Sequence, residues 1–315
     1  MSAPMPRTLP VTLIGGYLGA GKTTLVNAML RHAQGRRLAV LVNEFGALPI
    51  DGDLIEAQGD DLISISGGCI CCSFGSDLIA ALAELRARNA AIDHILIETS
   101  GVALPGAIVA SLQLVPGLAI DAVIVLADAE TIEARASDRY MSDTVRGQLE
   151  GADLVVLNKI DLVTSERAAA ISRWLAGAVP GARLIPVSHA AVPLDLVLGV
   201  HPRSRLLPDK PQRPAHQTSD YATLSLEIDQ AVDAGPFAAA LTDPRLGLLR
   251  AKGFLRGRDG GLTSLHLVGR RSHLEPAPAW VEGRGRIVCI GLAAQLDRMA
   301  IRAAVRQLAD RAELA

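Results

Sequence analysis

The chain carries three clusters of residues whose types and spacing could do chemistry. The first is Gly16-Tyr17-Leu18-Gly19-Ala20-Gly21-Lys22-Thr23, which fits G-x-x-x-x-G-K-[ST] at every fixed position. Such a run bends the backbone so that successive N–H groups face phosphate oxygens, and glycine tolerates the dihedrals this requires. Gly19, Ala20 and Gly21 would line the cradle. Lys22 would put a point charge on the β- and γ-phosphates, and the Thr23 hydroxyl would ligate Mg²⁺, with Thr24 following in the first helical turn. A glycine-rich turn that matches by chance is the competing reading. An apolar strand (11–14) precedes the run and a helical pattern follows it, which is the context a phosphate site needs.

The second cluster is Asn158-Lys159-Ile160-Asp161, directly after the apolar run LVVL. The Asp161 carboxylate can accept two hydrogen bonds, from guanine N1–H and from the exocyclic amine. Adenine offers no such donor pair, and the wrong base would leave a buried carboxylate unpaired. Asn158 is expected to hold the loop and contact the base, and the Lys159 stem to pack on its face. Between these clusters lies Glu98-Thr99-Ser100-Gly101. An acid at the end of a strand can hold Mg²⁺, and the Gly101 N–H can sense a γ-phosphate. GTP or GDP with Mg²⁺ is the ligand these residues predict, with Lys22, Thr23 and Glu98 as the catalytic set.

The third cluster is Gly67-Gly68-Cys69-Ile70-Cys71-Cys72. Thiolates favour soft or borderline metals such as Zn²⁺ or Cu⁺, and three of them make a nearly complete tetrahedral set. No second knuckle follows, so the spacing suits an exchangeable metal better than a permanent structural one. Three buried structural cysteines are the alternative. Glu44, in Asn43-Glu44-Phe45-Gly46, could give an oxygen ligand to Mg²⁺ or to the thiolate-bound metal.

These residues need a frame. Apolar runs at 11–16, 38–43, 94–99, 122–127, 154–159 and 183–188 alternate with helical patterns near 22–33, 76–90, 105–113, 143–151 and 165–177. Short apolar runs bounded by Gly, Asn or Asp suit buried parallel strands, so the pattern predicts an α/β, doubly wound sheet over 8–200. The Pro- and charge-rich stretch 201–220 reads as a linker. Beyond it, 221–228, 248–256, 262–269 and 285–292 read as strands, with Pro236 in the first turn of a short helix and a long helix over 296–314. That makes 221–315 a smaller α+β domain with an antiparallel sheet.

Composition narrows the function classes. Half of the 315 residues are hydrophobic and only 3% aromatic, so the core must be aliphatic. A formal charge of −2 gives no global attraction for nucleic acid. No apolar stretch is long enough to span a bilayer and MSAPMPRTLP has no signal-like core. Three of the four cysteines crowd together, which reads as reduced thiols in the cytoplasm.

Taken in order, GGYLGAGKTTL, NEFG, GGCICCS, IETSG and NKID, with RAKGFLR and RIVCIGL in the second unit, resemble the CobW family of P-loop GTPases over nearly the whole chain. The resemblance implies a GTPase domain joined to a small ferredoxin-like C-terminal domain. It implies slow GTP hydrolysis, and a transition metal held by Cys69, Cys71 and Cys72 and delivered to a client metalloprotein. It also implies that Lys22 and Thr23 hold phosphate and Mg²⁺, that Glu98 is the acidic switch residue, and that Asn158 and Asp161 read guanine. Two departures stand out. Ala47 takes the place where many relatives have a further Glu, and only His201, His216, His266 and His273 are scattered where many have a His-rich tract, which argues against metal storage. Zn²⁺ is the metal the thiolates favour over Co²⁺. A nucleotide-dependent, metal-responsive regulatory module and cobalt handling for corrinoid synthesis are the alternatives, and a homodimer is left open.

Overall fold

The computed structural model describes residues 8–33, 35–42, 63–66, 82, 92–199, 220–277, 281 and 283–313, with 63–66 and 309–313 in backbone only. The expected helix near 76–90, apart from Leu82, lies outside the described residues, as do 201–219. By internal contacts the chain divides into Met1–Val197 and Leu198–Ala315.

The first unit is built on seven parallel strands: β1 (Leu9–Gly16), β2 (Leu38–Val42), β3 (Ile63–Ser66), β4 (His94–Glu98), β5 (Leu118–Asp128), β6 (Leu154–Asn158) and β7 (Arg183–Pro186). Their order is β3-β2-β4-β1-β5-β6-β7. Every residue of β2, β4 and β6 is buried, as expected of parallel strands covered on both faces. The chain leaves β1 through α1 (Lys22–Arg31) toward one edge. It returns from β4 through α2 (Pro105–Leu112) to the other side of β1. The strand order therefore reverses at β1, and a doubly wound sheet binds ligands outside the carboxyl ends of its strands at such a point. Pro105 opens α2, where its missing N–H costs nothing.

Four further helices lie among the described residues of this part of the chain: α3 (Ile132–Ala136), α4 (Ser142–Glu150), α5 (Ser165–Ala178) and α6 (Leu194–Leu198). Thr164 caps α5 by accepting from the Arg167 N–H. The core is aliphatic, running from Leu13, Leu41 and Ile97 to Val125, Leu157 and Ile171. Register aligns the strand ends that matter, because Ile14 pairs with Glu98, Glu98 with Val42, and Val42 with Ser66.

The second unit has an antiparallel sheet in the order β11-β10-β9-β12-β8. Its strands are β8 (Tyr221–Ile228), β9 (Leu248–Arg256), β10 (Leu262–Val268), β11 (Arg271–Pro276) and β12 (Gly285–Leu292). Helix α7 (Ala234–Leu241), capped by Asp233, links β8 to β9, and α8 (Arg298–Glu313) closes the described chain. β12 pairs antiparallel to both β8 and β9. It is thus slotted into a β-α-β unit, the split arrangement on which ferredoxin-like domains are built. β8 alternates buried and exposed residues, and Phe237, Leu248, Leu267 and Ile301 fill the core below it.

Candidate functional site

β1 ends in Gly16, where the backbone turns to φ +131. A Cβ there would lie 2.4 Å from the Leu126 carbonyl oxygen of β5, so only glycine lets the two strands approach while the chain bends away. Gly19 and Gly21 also have positive φ, 77° and 103°. At Gly21 a Cβ would sit 2.5 Å from Asn158 Nδ2, which ties the first cluster to the second. Helix α1 begins at Lys22, and no acidic residue of its own lies in its first turn, which suits its positive end to an anion. Lys22 is buried and its Nζ donates to the Gly16 carbonyl at 3.0 Å, folding the cation back over the loop it closes. Gly19 and Thr24 are exposed, and Ala20 is buried.

Thr23 Oγ1 donates to Glu98 Oε1 at 2.8 Å, across the β1–β4 pairing. Glu98 is 3% exposed. A hydroxyl and a carboxylate oxygen side by side at a helix start are hard-oxygen donors of the kind Mg²⁺ takes. Beyond Glu98 the chain passes Thr99, whose N–H donates to the Ile14 carbonyl at 2.9 Å, and reaches Gly101. A Cβ on Gly101 would lie 2.9 Å from Leu18 N and 2.4 Å from Leu18 Cδ2. The Gly101 segment thus rests against the phosphate loop because residue 101 has no side chain.

The second cluster is built around Asn158. Its Nδ2 donates to the Ala20 carbonyl at 2.9 Å, and its Oδ1 accepts from the Ala190 N–H at 2.8 Å. One buried amide therefore joins the phosphate loop to the loop after β7, where His189 and Ala190 both adopt φ +54. Lys159 is left-handed at φ 63, and its Nζ pairs with Asp128 Oδ2 at 2.7 Å, which sets the direction of its stem. Asp161 is exposed, and His189 Nε2 stands 3.7 Å from its Oδ2.

Three contributors were not visible in the sequence pattern. Gln148 of α4 is 1% exposed and its Nε2 donates to the carbonyls of Gly101 and Ala103 at 3.1 and 3.0 Å, pinning the segment after Glu98. Asp128 is the partner of Lys159. Arg135 of α3 reaches the phosphate loop from a distance of 117 residues along the chain. Each role comes from strand order alone, and only the position of Asp128 at the end of an apolar run gave any hint.

Cys69, Cys71, Cys72 and Glu44 lie outside the described residues. Their points of departure do not. β2 ends at Val42, two residues before Glu44, and β3 ends at Ser66, three before Cys69. In the second unit His266 and His273 face each other across β10 and β11, with ring centroids 6.4 Å apart. Among the described residues, no three His, Cys, Asp or Glu side chains are grouped so as to hold a metal ion. No described helix is long and apolar enough to cross a membrane.

Phosphate loop, acidic strand end and base loop on a doubly wound parallel sheet are those of a P-loop GTPase. Residues 10–186 match the CobW/HypB/UreG nucleotide-binding domain, and residues 221–309 match the cobalamin synthesis protein cobW C-terminal domain. The chain belongs to this family. Among curated proteins it is 34% identical to the zinc chaperone CobW of Pseudomonas aeruginosa, with 93% of this chain and 89% of the relative aligned. It is 30% identical to the zinc chaperone YjiA of Escherichia coli, over 78% of this chain and 81% of that one. Among solved structures, the Zn(II)-bound YjiA GTPase of E. coli is 26% identical over 96% of this chain and 99% of the other, with a TM-score of 0.46.

Proposed function

We propose that this GTPase is a metallochaperone. It would hold a transition ion, zinc by preference, on Cys69, Cys71 and Cys72, with Glu44 as a further oxygen donor, and pass it to a client metalloprotein under control of the nucleotide. The observation that carries this reading is the row Ser66–Val42–Glu98–Ile14 across the sheet. Glu98 is two strand spacings from Ser66, roughly 10 Å. The chain therefore sets out toward the cysteines from the same sheet end as the residue that contacts Thr23. A change at the γ-phosphate would have a short path to Ser66, from which the chain runs on to the cysteines.

The chain's own residues supply hydrolysis as follows. Thr23 and Glu98 would hold Mg²⁺, which supplies charge neutralisation on the phosphate oxygens when bound. Lys22 leaves the Gly16 carbonyl for the β- and γ-phosphates. Gly101, pinned through Gln148, presents its N–H to the γ-phosphate. Asn158 keeps the loop's shape, and Asp161 selects guanine. A water oxygen bonds to the γ-phosphorus as the bond to the β–γ bridging oxygen breaks. The electron pair stays with GDP, and the water proton leaves with phosphate. Loss of the γ-phosphate would remove the partner of the Gly101 N–H, and metal release would be coupled to that step.

The test is transfer. Zinc-loaded protein is mixed with an apo zinc acceptor in GDP, in GTP and in a non-hydrolysable GTP analogue, and acceptor occupancy is followed. Transfer from the GTP complex that the non-hydrolysable analogue blocks, with the GDP complex giving up zinc at least as fast, supports the proposal. Equal transfer in all three states refutes it.

A further inference from the structure

We propose that Arg135 is a guanidinium supplied in cis to the γ-phosphate, acting on phosphoryl transfer rather than on nucleotide binding. Its placement follows from the sheet. Leu126 is the register partner of Gly16, and β5 runs on to Asp128. The chain then turns back over the phosphate loop as α3. Ile132 and Ala136, 4% and 0% exposed, anchor that helix, and Arg135 projects from it. Arg135 Nη1 donates to the Leu18 carbonyl at 2.7 Å, and the guanidinium lies 4.7 Å from the centroid of the Tyr17 ring. The Tyr17 hydroxyl in turn donates to Met141 Sδ at 2.9 Å, so the shelf under the guanidinium is itself fixed.

Two features single out Arg135. The first is what it touches. Arg146 and Arg256 also donate to backbone carbonyls, those of Ala136 and Gly283, but the hydrogen bond and the ring contact of Arg135 both go to the phosphate loop, at Leu18 and Tyr17. The second is position. Leu18 is the loop residue against which Gly101 rests, so Arg135 stands at the γ end of the cradle. Lys22, the loop's own cation, also lies on a loop carbonyl, that of Gly16. For a guanidinium resting on a backbone oxygen, phosphate oxygens would be far stronger acceptors. As the water oxygen adds to the γ-phosphorus and the bridging bond breaks toward GDP, charge spreads over the equatorial and bridging oxygens. An arginine at this position stabilises that charge. Arg135 is therefore assigned to the catalytic set, an assignment that rests on the GTPase reading.

The experiment compares full-length wild type, Lys22→Ala, Arg135→Gln and Arg135→Lys. It measures single-turnover GTP hydrolysis, GDP affinity, and the gain in GDP affinity caused by aluminium fluoride, which mimics the phosphoryl group in flight. Arg135→Gln should hydrolyse about 10²-fold more slowly. It should hold GDP within about threefold of wild type and lose most of the aluminium fluoride gain. Arg135→Lys keeps the charge and the stem over Tyr17, so it should fold and bind GDP normally. It should still be slow, because an ammonium lacks the planar fork. Hydrolysis by either variant within about threefold of wild type overturns the proposal. So does a loss of GDP affinity as large as the loss of rate, which would make Arg135 a buttress of the loop. If wild type hydrolyses, Lys22→Ala does not and Arg135→Gln matches wild type, this inference alone fails. If wild type does not hydrolyse GTP, the GTPase reading fails with it.

Discussion

Replacing Asn158 with Ala removes one side chain and unfastens two loops. Asn158 is 3% exposed and satisfies the carbonyl of Ala20 and the N–H of Ala190, themselves 1% and 0% exposed. Each buried backbone group left without a partner costs about 1–3 kcal/mol. Two such groups would be left, so we expect a total loss of about 2–6 kcal/mol in unfolding free energy. Part of that loss recurs in binding. The phosphate loop would no longer hold its shape, and nucleotide binding would have to restore it. A share of about 2 kcal/mol raises Kd roughly 30-fold. Urea denaturation without nucleotide measures the first quantity, and calorimetry with GDP and inosine diphosphate measures the second. Because the damage reaches the nucleotide through the phosphate loop, both ligands should weaken by the same factor. An unfolding free energy within about 0.5 kcal/mol of wild type would refute the clamp and reduce Asn158 to a base contact.

Asp161→Asn should leave folding stability unchanged, because Asp161 is exposed, yet narrow the preference for GDP over inosine diphosphate, which lacks the exocyclic amine; calorimetry with the two ligands decides. Lys22→Ala should abolish hydrolysis measured by phosphate release, since the β- and γ-phosphates lose their nearest cation. Cys289 is buried, and burial pushes its thiol up to about 12, so it stays protonated and inert near neutral pH. Alkylation of native, metal-free protein at pH 8 should therefore label Cys69, Cys71 and Cys72 and spare Cys289, as peptide mapping would show. The same shift makes Cys289 stabilising below the ordinary thiol value near 9, with the contribution lost as pH rises from there toward about 12. Urea midpoints that do not fall over that window in wild type relative to Cys289→Ala would contradict it.

What the sequence displays depends on how locally a feature is encoded. β6, β8, β9 and β12 follow the apolar runs expected of them, because a buried strand needs consecutive or alternating aliphatic residues and these segments have them. β3 leaves no strand pattern in the sequence, since Ile63-Ser-Ile-Ser66 offers only two apolar residues and sits at the sheet edge. β11 leaves none for the same reason, Arg271–Pro276 being polar and at an edge. α3 and α6, five residues each, are too short to show a helical period. The phosphate loop was legible because one contiguous segment must supply all of its bends. Gln148 and Arg135 were not. Gln148 meets Gly101 from 47 residues away and Arg135 meets Leu18 from 117, and no local pattern records which strand ends become neighbours. His266 and His273 look scattered along the chain, yet the hairpin between β10 and β11 sets them opposite each other.

The central claim is that nucleotide state and metal affinity are coupled through one end of the sheet. It is tested most directly by a zinc titration against a chromogenic competitor. The titration is run with GDP and with a non-hydrolysable GTP analogue, on wild type and on the Cys69/Cys71/Cys72→Ser triple variant. Coupling of about 1–3 kcal/mol corresponds to roughly 5–150-fold in affinity, and metal must shift nucleotide affinity by the same factor. We predict tighter zinc binding with the GTP analogue, reciprocal tightening of the analogue by zinc, affinity that falls as pH drops and the thiolates protonate, and no high-affinity site in the triple variant. Equal zinc affinities in the two nucleotide states would contradict the coupling, and a triple variant that binds zinc as tightly as wild type would remove the cysteines from the site.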